Sequence, residues 1–130
     1  MLLFKNLSKY GDVAHLILRL AVAAVFINHG LQKWALWTDM PPGMPATMFS
    51  IMRILAVAEP AAGLALVLGL LTRVANVGLM IVMVSALVMK LSGGASMNMW
   101  EIDLLLLTAN IVLFIAGPGK YSLDAGWMKK

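Results

Sequence analysis

The sequence contains no cysteine, and it has little charge. A chain without thiols forms no disulfide, holds no cysteine-ligated iron–sulfur cluster and carries no covalently attached c-type haem. Charged residues make up 12% of the 130 residues, about half of the share in a soluble domain. The net charge of +4 is too small and too scattered to indicate a nucleic-acid partner. These absences exclude thiol redox chemistry within this chain and nucleic-acid binding.

Apolar residues are abundant instead. They make up 62% of the chain, against about 45–50% in a typical soluble domain. Four stretches reach or approach the roughly 20 residues that a membrane-spanning helix needs: residues 13–36, 49–71, 74–91 and 100–116. None alternates between apolar and polar residues, as a barrel strand does. The sequence therefore predicts an all-α integral membrane four-helix bundle that forms one domain over residues 1–130.

The connections between these stretches agree with four spans. Residues 38–48 contain three prolines and a glycine, which is typical of a loop. The Thr72-Arg73 link is so short that it makes the second and third helices antiparallel neighbours. Residues 92–96 form a flexible turn, and Gly117-Pro118-Gly119 ends the last helix because proline cannot continue it.

The basic residues predict an orientation. With four spans, both termini and the Thr72-Arg73 link lie on one side of the membrane. That side has six basic residues and the opposite side has two: Lys5, Lys9, Arg73, Lys120, Lys129 and Lys130, against Lys33 and Lys90. By the positive-inside rule both termini are cytoplasmic, which predicts a multi-pass protein of the inner (plasma) membrane, in contact with lipid.

Several ionisable residues fall inside the predicted spans, where a charge costs roughly 2.5–3.5 kcal/mol at the centre. One end of the bundle is expected to gather most of them in a polar pocket: His29, Lys33, Arg53, Glu59 and Asp103. Glu59 is closest to the membrane midplane and must be paired or protonated there. Pro60 follows it and frees the carbonyl of Ala56 from helical hydrogen bonding.

Two further pairs of residues need an assignment. Glu101 and Asp103 are about 200° apart on a helical wheel, so only one faces the interior. Asp103 shares a stripe with Asn110, seven residues on, and is the better interior candidate. Arg19 and Asn110 lie at similar depths, which predicts an Arg19–Asn110 contact or an arginine that reaches the headgroups. Both are interpreted as structural or lipid-contacting residues.

The order of several motifs resembles a known family. They are Arg19-Leu20, Phe26, His29-Gly30 and Lys33 in the first span, Glu59, Gly63 and residues 68–73 around the second, and Glu101 and residues 117–124 at the two ends of the fourth. In order and spacing these motifs resemble the DoxX family of small four-span membrane proteins over residues 13–124. The resemblance implies a four-helix membrane fold.

The resemblance also implies a function, because the family takes its name from a membrane subunit associated with a thiosulfate:quinone oxidoreductase. We therefore expect an accessory subunit of a redox system that contacts quinone and a soluble or membrane oxidoreductase partner. His29 would hydrogen-bond a quinone carbonyl and Glu59 would relay a proton, which makes these two the catalytic candidates. The remaining quinone-binding candidates are Arg53, Lys33, Asp103, Glu101 and Trp34.

Other functions stay open at this point. The bundle could anchor a larger complex without chemistry of its own, or form a homo-oligomer through small residues. It could be a transporter, since small multidrug-resistance transporters also have four spans and one buried glutamate. Thioethers favour Cu(I), and five methionines fall in loops or at helix starts: Met40, Met44, Met48, Met97 and Met99. His15 and His29 lie on one helix face, which would suit haem in a dimer.

Overall fold

The computed structural model describes residues 6–128. Lys5, Lys129 and Lys130, which contribute to the predicted charge asymmetry, lie outside the described residues. Five α-helices are present in this part of the chain: α1 Gly11–Gln32, α2 Ala46–Leu68, α3 Thr72–Ser92, α4 Met97–Ala116 and α5 Leu123–Met128. Two short 3-10 helices, Leu7–Tyr10 and Trp34–Trp37, flank α1.

The four long helices have 20 to 23 residues each. At about 1.5 Å per residue this length crosses the roughly 30 Å of a bilayer core. All four are apolar enough to span a membrane by length and composition. The predicted all-α membrane bundle is confirmed, with helix boundaries close to the predicted ones.

The largest difference from the predicted boundaries is at the end of the first span, predicted at residue 36 and observed at Gln32. A further difference lies between α2 and α3. The α2 helix ends at Leu68 and the link is formed by residues 69–71, whereas Thr72-Arg73 already begins α3. Gly69 ends α2 in the left-handed region with φ of 69°, and Leu71 has φ of 50°. Leucine rarely adopts this conformation, so contacts from elsewhere in the chain must hold the link in place.

The bundle consists of two helical hairpins, α1–α2 and α3–α4, each of which is tightly packed. In the first hairpin, a Cβ atom on Gly30 would lie 2.1 Å from Pro60 Cδ, and one on Gly63 would lie 2.7 Å from Ile27 Cγ1. Only glycine permits such a close approach of the two helices. The seams between the hairpins are looser, because a groove runs between α1 and α4 and another between α2 and α3.

The interior of the bundle is unusually polar for its size. Beside nine buried hydrophobic residues it contains six buried polar or charged ones: Arg19, Glu59, Thr72, Asn76, Asp103 and Asn110. Large apolar side chains cover the outer surface of all four helices. This distribution suits a lipid environment, where polar groups face the interior of the bundle.

At one end of the bundle, residues 117–128 fold back over the helix ends; we name this segment the C-terminal latch. The Asp124 carboxylate accepts hydrogen bonds from the backbone N–H groups of Leu71 and Thr72, each at 2.9 Å, and from the Thr72 hydroxyl at 2.9 Å. The Asp124 backbone N–H donates to Gly69 at 2.9 Å. The latch therefore caps the start of α3 and holds the left-handed link.

The predicted contact between Arg19 and Asn110 is wrong. Arg19 donates instead to the backbone carbonyls of Pro118 and Tyr121 in the latch, each at 2.5 Å. Asn110 donates to the carbonyl of Leu106 at 2.8 Å on its own helix. No sequence pattern predicts that the chain turns back after Gly117, and this turn brings the two carbonyls to the Arg19 guanidinium.

Asp124 lies outside the spanning helices, and its surroundings favour the ionised carboxylate. Burial disfavours the charged form, but the two backbone N–H donors, the Thr72 hydroxyl and the positive charge of Arg19 outweigh it and lower the pKa of Asp124. The latch is therefore held by a carboxylate that stays charged to lower pH than usual.

Candidate functional site

A cavity of about 530 Å³ lies between the two hairpins, at the end of the bundle away from the latch; we name this the cavity end. All four long helices contribute to its wall. The polar residues of the wall are His29, Gln32, Lys33, Glu59, Ser85, Lys90 and Asp103, and the rest are methionine and aliphatic side chains. Four of the five residues of the predicted polar cluster, all except Arg53, therefore lie beside a space large enough for a small molecule.

Two ion pairs face this cavity. Lys33 Nζ lies 2.8 Å from Glu59 Oε2, and Lys90 Nζ lies 2.5 Å from Asp103 Oδ2. Both carboxylates are almost fully buried, with 2% and 4% of their residue surface exposed. The first pair joins α1 to α2 and the second joins α3 to α4, so each hairpin neutralises its own buried carboxylate.

Several groups in the cavity wall have unused hydrogen-bonding capacity. The His29 imidazole has no hydrogen-bond partner among residues 6–128, although its ring contacts the Phe26 ring edge-on at 6.4 Å between centroids. Glu59 Oε1 and Asp103 Oδ1 likewise have no donor in the described part of the chain, since each lysine binds the other oxygen. A bound molecule could therefore hydrogen-bond to the wall without breaking either ion pair.

Pro60 explains why the chain is polar at this depth. Proline has no N–H and leaves the carbonyl of Ala56 without its helical donor. The Trp34 indole Nε1–H donates to this carbonyl at 2.8 Å. The sequence correctly indicated a free carbonyl at Ala56, and the structure shows that Trp34 satisfies it. Trp34 thereby fixes the Trp34–Trp37 turn beside α2.

The structure brings together four of the predicted site residues: His29, Lys33, Glu59 and Asp103 all line the cavity. Three others lie outside its wall. The Arg53 guanidinium lies over the Trp37 ring, 4.2 Å from its centroid, and near the Phe49 ring. Glu101 is exposed at the start of α4, and Trp34 binds the backbone of α2.

Sequence reasoning missed Lys90 as a site residue, and it also missed the methionines of the wall. From the sequence, Lys90 is used only as a basic residue in the charge asymmetry. Lys90 lies near the end of α3 and Asp103 near the start of α4, so the two side chains can pair across the turn. Four methionines line the cavity: Met48, Met52, Met83 and Met89. Of the five methionines considered for copper, Met48 alone belongs to this wall, while Met97 and Met99 are exposed.

The two histidines lie at opposite ends of the bundle. His15 packs against Gly119 of the C-terminal latch. A Cβ atom added to Gly119 would lie 2.5 Å from His15 Nδ1. His29 lines the cavity. Fourteen residues of helix separate the two by about 21 Å, so their surroundings have nothing in common.

With this geometry established, comparison with known proteins places the chain in a family. The DoxX family model matches residues 14–91. This chain belongs to the DoxX family. The matched region contains α1 to α3 and with them His29, Lys33, Glu59 and Lys90, whereas Asp103 lies beyond it.

The chain is also similar to a curated membrane protein. The DoxX chain is 34% identical to the uncharacterized membrane protein Rv3486 of Mycobacterium tuberculosis over 139 aligned positions, which cover 92% of this chain and 85% of the relative. No solved structure matches. These findings make the protein a multi-pass membrane protein of the DoxX family.

Proposed function

We propose that this DoxX protein is a quinone-binding membrane subunit of a redox system and that the quinone ring binds in the cavity between the two hairpins. The observation that carries this proposal is the free His29 imidazole beside two buried carboxylates that each keep one oxygen without a donor. Unpartnered polar atoms also occur elsewhere in residues 6–128, at His15 and Asn76 for example, but His29 and the two carboxylates line a cavity large enough for a small molecule.

The shape and chemistry of the wall fit an amphiphile with a polar ring. Small-molecule sites measure about 300–1,000 Å³ and combine apolar walls with a few fixed polar groups, and this cavity of about 530 Å³ falls within that range. The methionine side chains are flexible and polarisable, so they adapt to a flat ring. The wall offers His29 and two ammonium groups to the carbonyl oxygens of a quinone.

The carboxylates supply the proton chemistry. Reduction of a quinone to a quinol takes up two electrons and two protons; the electrons would come from an oxidoreductase partner. Glu59 and Asp103 are carboxylates in their ion pairs, so each would first accept a proton from water entering the cavity and then donate it to a carbonyl oxygen, which restores the carboxylate. Lys33 and Lys90 would hold the carboxylates in position. This division of labour makes the DoxX chain the quinone-handling subunit and its partner the electron donor.

The predicted orientation belongs to this proposal. The latch end carries Lys9, Arg73 and Lys120, and none of these forms an ion pair among residues 6–128. Lys33 and Lys90 at the opposite end are both neutralised by carboxylates. This asymmetry supports cytoplasmic termini in an inner membrane, with the cavity facing the outer leaflet.

The ion pairs favour quinone over a transported cation. A carboxylate that already has an ammonium partner has little attraction left for a cationic substrate. A neutral quinone ring does not need a free carboxylate, and its carbonyl oxygens can accept a hydrogen bond from His29.

The two histidines give a matched test. Purified protein in detergent is titrated with a short-chain benzoquinone, and binding is followed as the ligand-dependent rise in Tm and as an adduct in native mass spectrometry. We expect His29→Leu to weaken binding about two- to tenfold, the value of one hydrogen bond, with an unchanged Tm in the absence of ligand. His15→Leu, at the latch end, should bind like the unmodified protein.

Two results would contradict the proposal. The first is the absence of any quinone adduct or Tm rise in the unmodified protein, which would favour an anchoring role without a ligand. The second is an equal loss of binding in both histidine variants, which would show that the effect does not come from the cavity.

A further inference from the structure

The cavity is open on its side as well as at its end. On α3 its wall includes Ile81 and Met89, with 63% and 51% of their surface exposed, and on α2 it includes Ile51, with 46% exposed. In a membrane these residues face lipid. The space between α2 and α3 is therefore in contact with the bilayer at the level of the spanning helices.

A second, narrower groove continues from the cavity along the same seam. It measures about 210 Å³, and Glu59 and Val82 line both the groove and the cavity. Small side chains form most of the rest of its wall: Ala58 and Ala62 on α2, with Ala75 and Gly78 on α3. Because Glu59 lies at the fourteenth of the 23 positions of α2, the groove lies near mid-height in the bundle.

The groove is open where it meets the outside of the bundle. A Cβ atom added to Gly78 would meet no atom within 4 Å, and Gly78 is exposed. Glu59 stands at the inner end, 2% exposed and with Oε1 free of any donor in the described chain. The seam thus joins lipid to a buried polar group through an apolar passage.

We propose that the α2–α3 seam is a lateral portal through which a membrane amphiphile enters, and that its apolar tail then rests in the groove lined by Gly78. This inference rests on the proposed function, because it takes the quinone ring as the group in the cavity. A tail anchored beside Glu59 would extend toward the middle of the bilayer, where the chain of a lipid-soluble quinone already lies.

The organisation of the two hairpins permits this entry. Among the described residues, no hydrogen bond or ion pair joins one hairpin to the other at the cavity end, since each ion pair is internal to a hairpin. The latch joins them at the other end, through Arg19 and Asp124. The seam can therefore widen without breaking a polar contact.

The test compares two probes that share a ring: a dimethoxy-methyl-benzoquinone with a decyl chain, and the same ring without a chain. Gly78→Trp fills the groove, and Ala21→Trp is the control, because Ala21 lines the apolar groove of about 440 Å³ on the opposite seam, between α1 and α4. Affinities are measured by titration in native mass spectrometry in one detergent.

We expect Gly78→Trp to weaken binding of the decyl probe at least tenfold and to leave binding of the tailless ring within twofold. Ala21→Trp should bind both probes like the unmodified protein.

A variant modified after folding removes the concern that tryptophan prevents assembly. The chain has no native cysteine, so Gly78→Cys can be purified and then capped with a methyl or a benzyl thiosulfonate. The benzyl cap should weaken binding of the decyl probe as Gly78→Trp does, and the methyl cap should not.

The outcomes separate the two proposals. Equal binding of the decyl probe with an open or a filled groove would overturn the portal and leave the quinone site intact. Loss of both probes in Gly78→Trp would also overturn it, because the substitution would then act on the cavity. Failure of both probes to bind the unmodified protein would overturn the proposed function and, with it, the portal.

Discussion

The two ends of this bundle use charged residues in opposite ways. At the latch end, Arg19 and Asp124 bind backbone groups and connect segments that are far apart in the sequence. At the cavity end, Lys33 and Lys90 bind carboxylates of their own hairpin. Charges at the latch end tie the two hairpins together. At the cavity end the two lysines bind carboxylates and backbone carbonyls of their own hairpin only, which leaves a cavity between the hairpins. The latch end therefore joins the two hairpins, and the cavity end leaves a space between them for the proposed ligand.

The largest effect is expected at the cavity end from Lys33→Met, which leaves the buried Glu59 carboxylate without its partner. Removing one partner of a buried pair costs about 3–5 kcal/mol. The double variant Lys33→Met/Glu59→Gln removes both charges and should recover most of this loss. Thermal unfolding in detergent measures the stability of the single and the double variant. A double variant as unstable as the single one would show that the loss does not come from the unpaired charge of Glu59.

A smaller effect is expected from Trp34→Phe, which removes the indole donor to the Ala56 carbonyl. An unsatisfied buried carbonyl costs about 1–3 kcal/mol. In the Pro60→Ala background the residue at 60 has its own N–H for this carbonyl, so the same substitution should cost much less there. A double-mutant cycle of unfolding free energies measures the coupling, and equal costs in both backgrounds would contradict the role assigned to Trp34.

At the latch end, Asp124→Ala should cost about 0.5–2 kcal/mol, the value of a helix cap. The pKa of Asp124 is lowered in the folded protein, so its contribution is complete at pH values above the unfolded-state pKa of about 3.9 and disappears as the pH falls through the folded-state pKa. The difference in Tm between the two proteins should therefore be constant near neutral pH and shrink in acid. A difference that grows in acid would contradict the latch geometry.

The same contrast explains how much could be predicted from the sequence. The four spans follow from long apolar runs, and the gathering of His29, Lys33, Glu59 and Asp103 follows from their depths along regular helices. The partners of Arg19 could not be predicted, because backbone carbonyls of a returning segment leave no pattern in the sequence. Arg53 does not line the cavity, since its guanidinium lies over the Trp37 ring, 4.2 Å from the ring centroid. The position of Arg53 along the helix gives no indication of this contact.

The most direct test of the proposed ligand site at the cavity end is photolabelling of the purified protein with an azido-benzoquinone, followed by peptide mapping. We expect labels on α2 and α3 at the cavity wall, around Met52 and Met83, and their loss when unlabelled decyl-benzoquinone competes. Labels confined to the groove between α1 and α4, or labels that competitor does not displace, would contradict it.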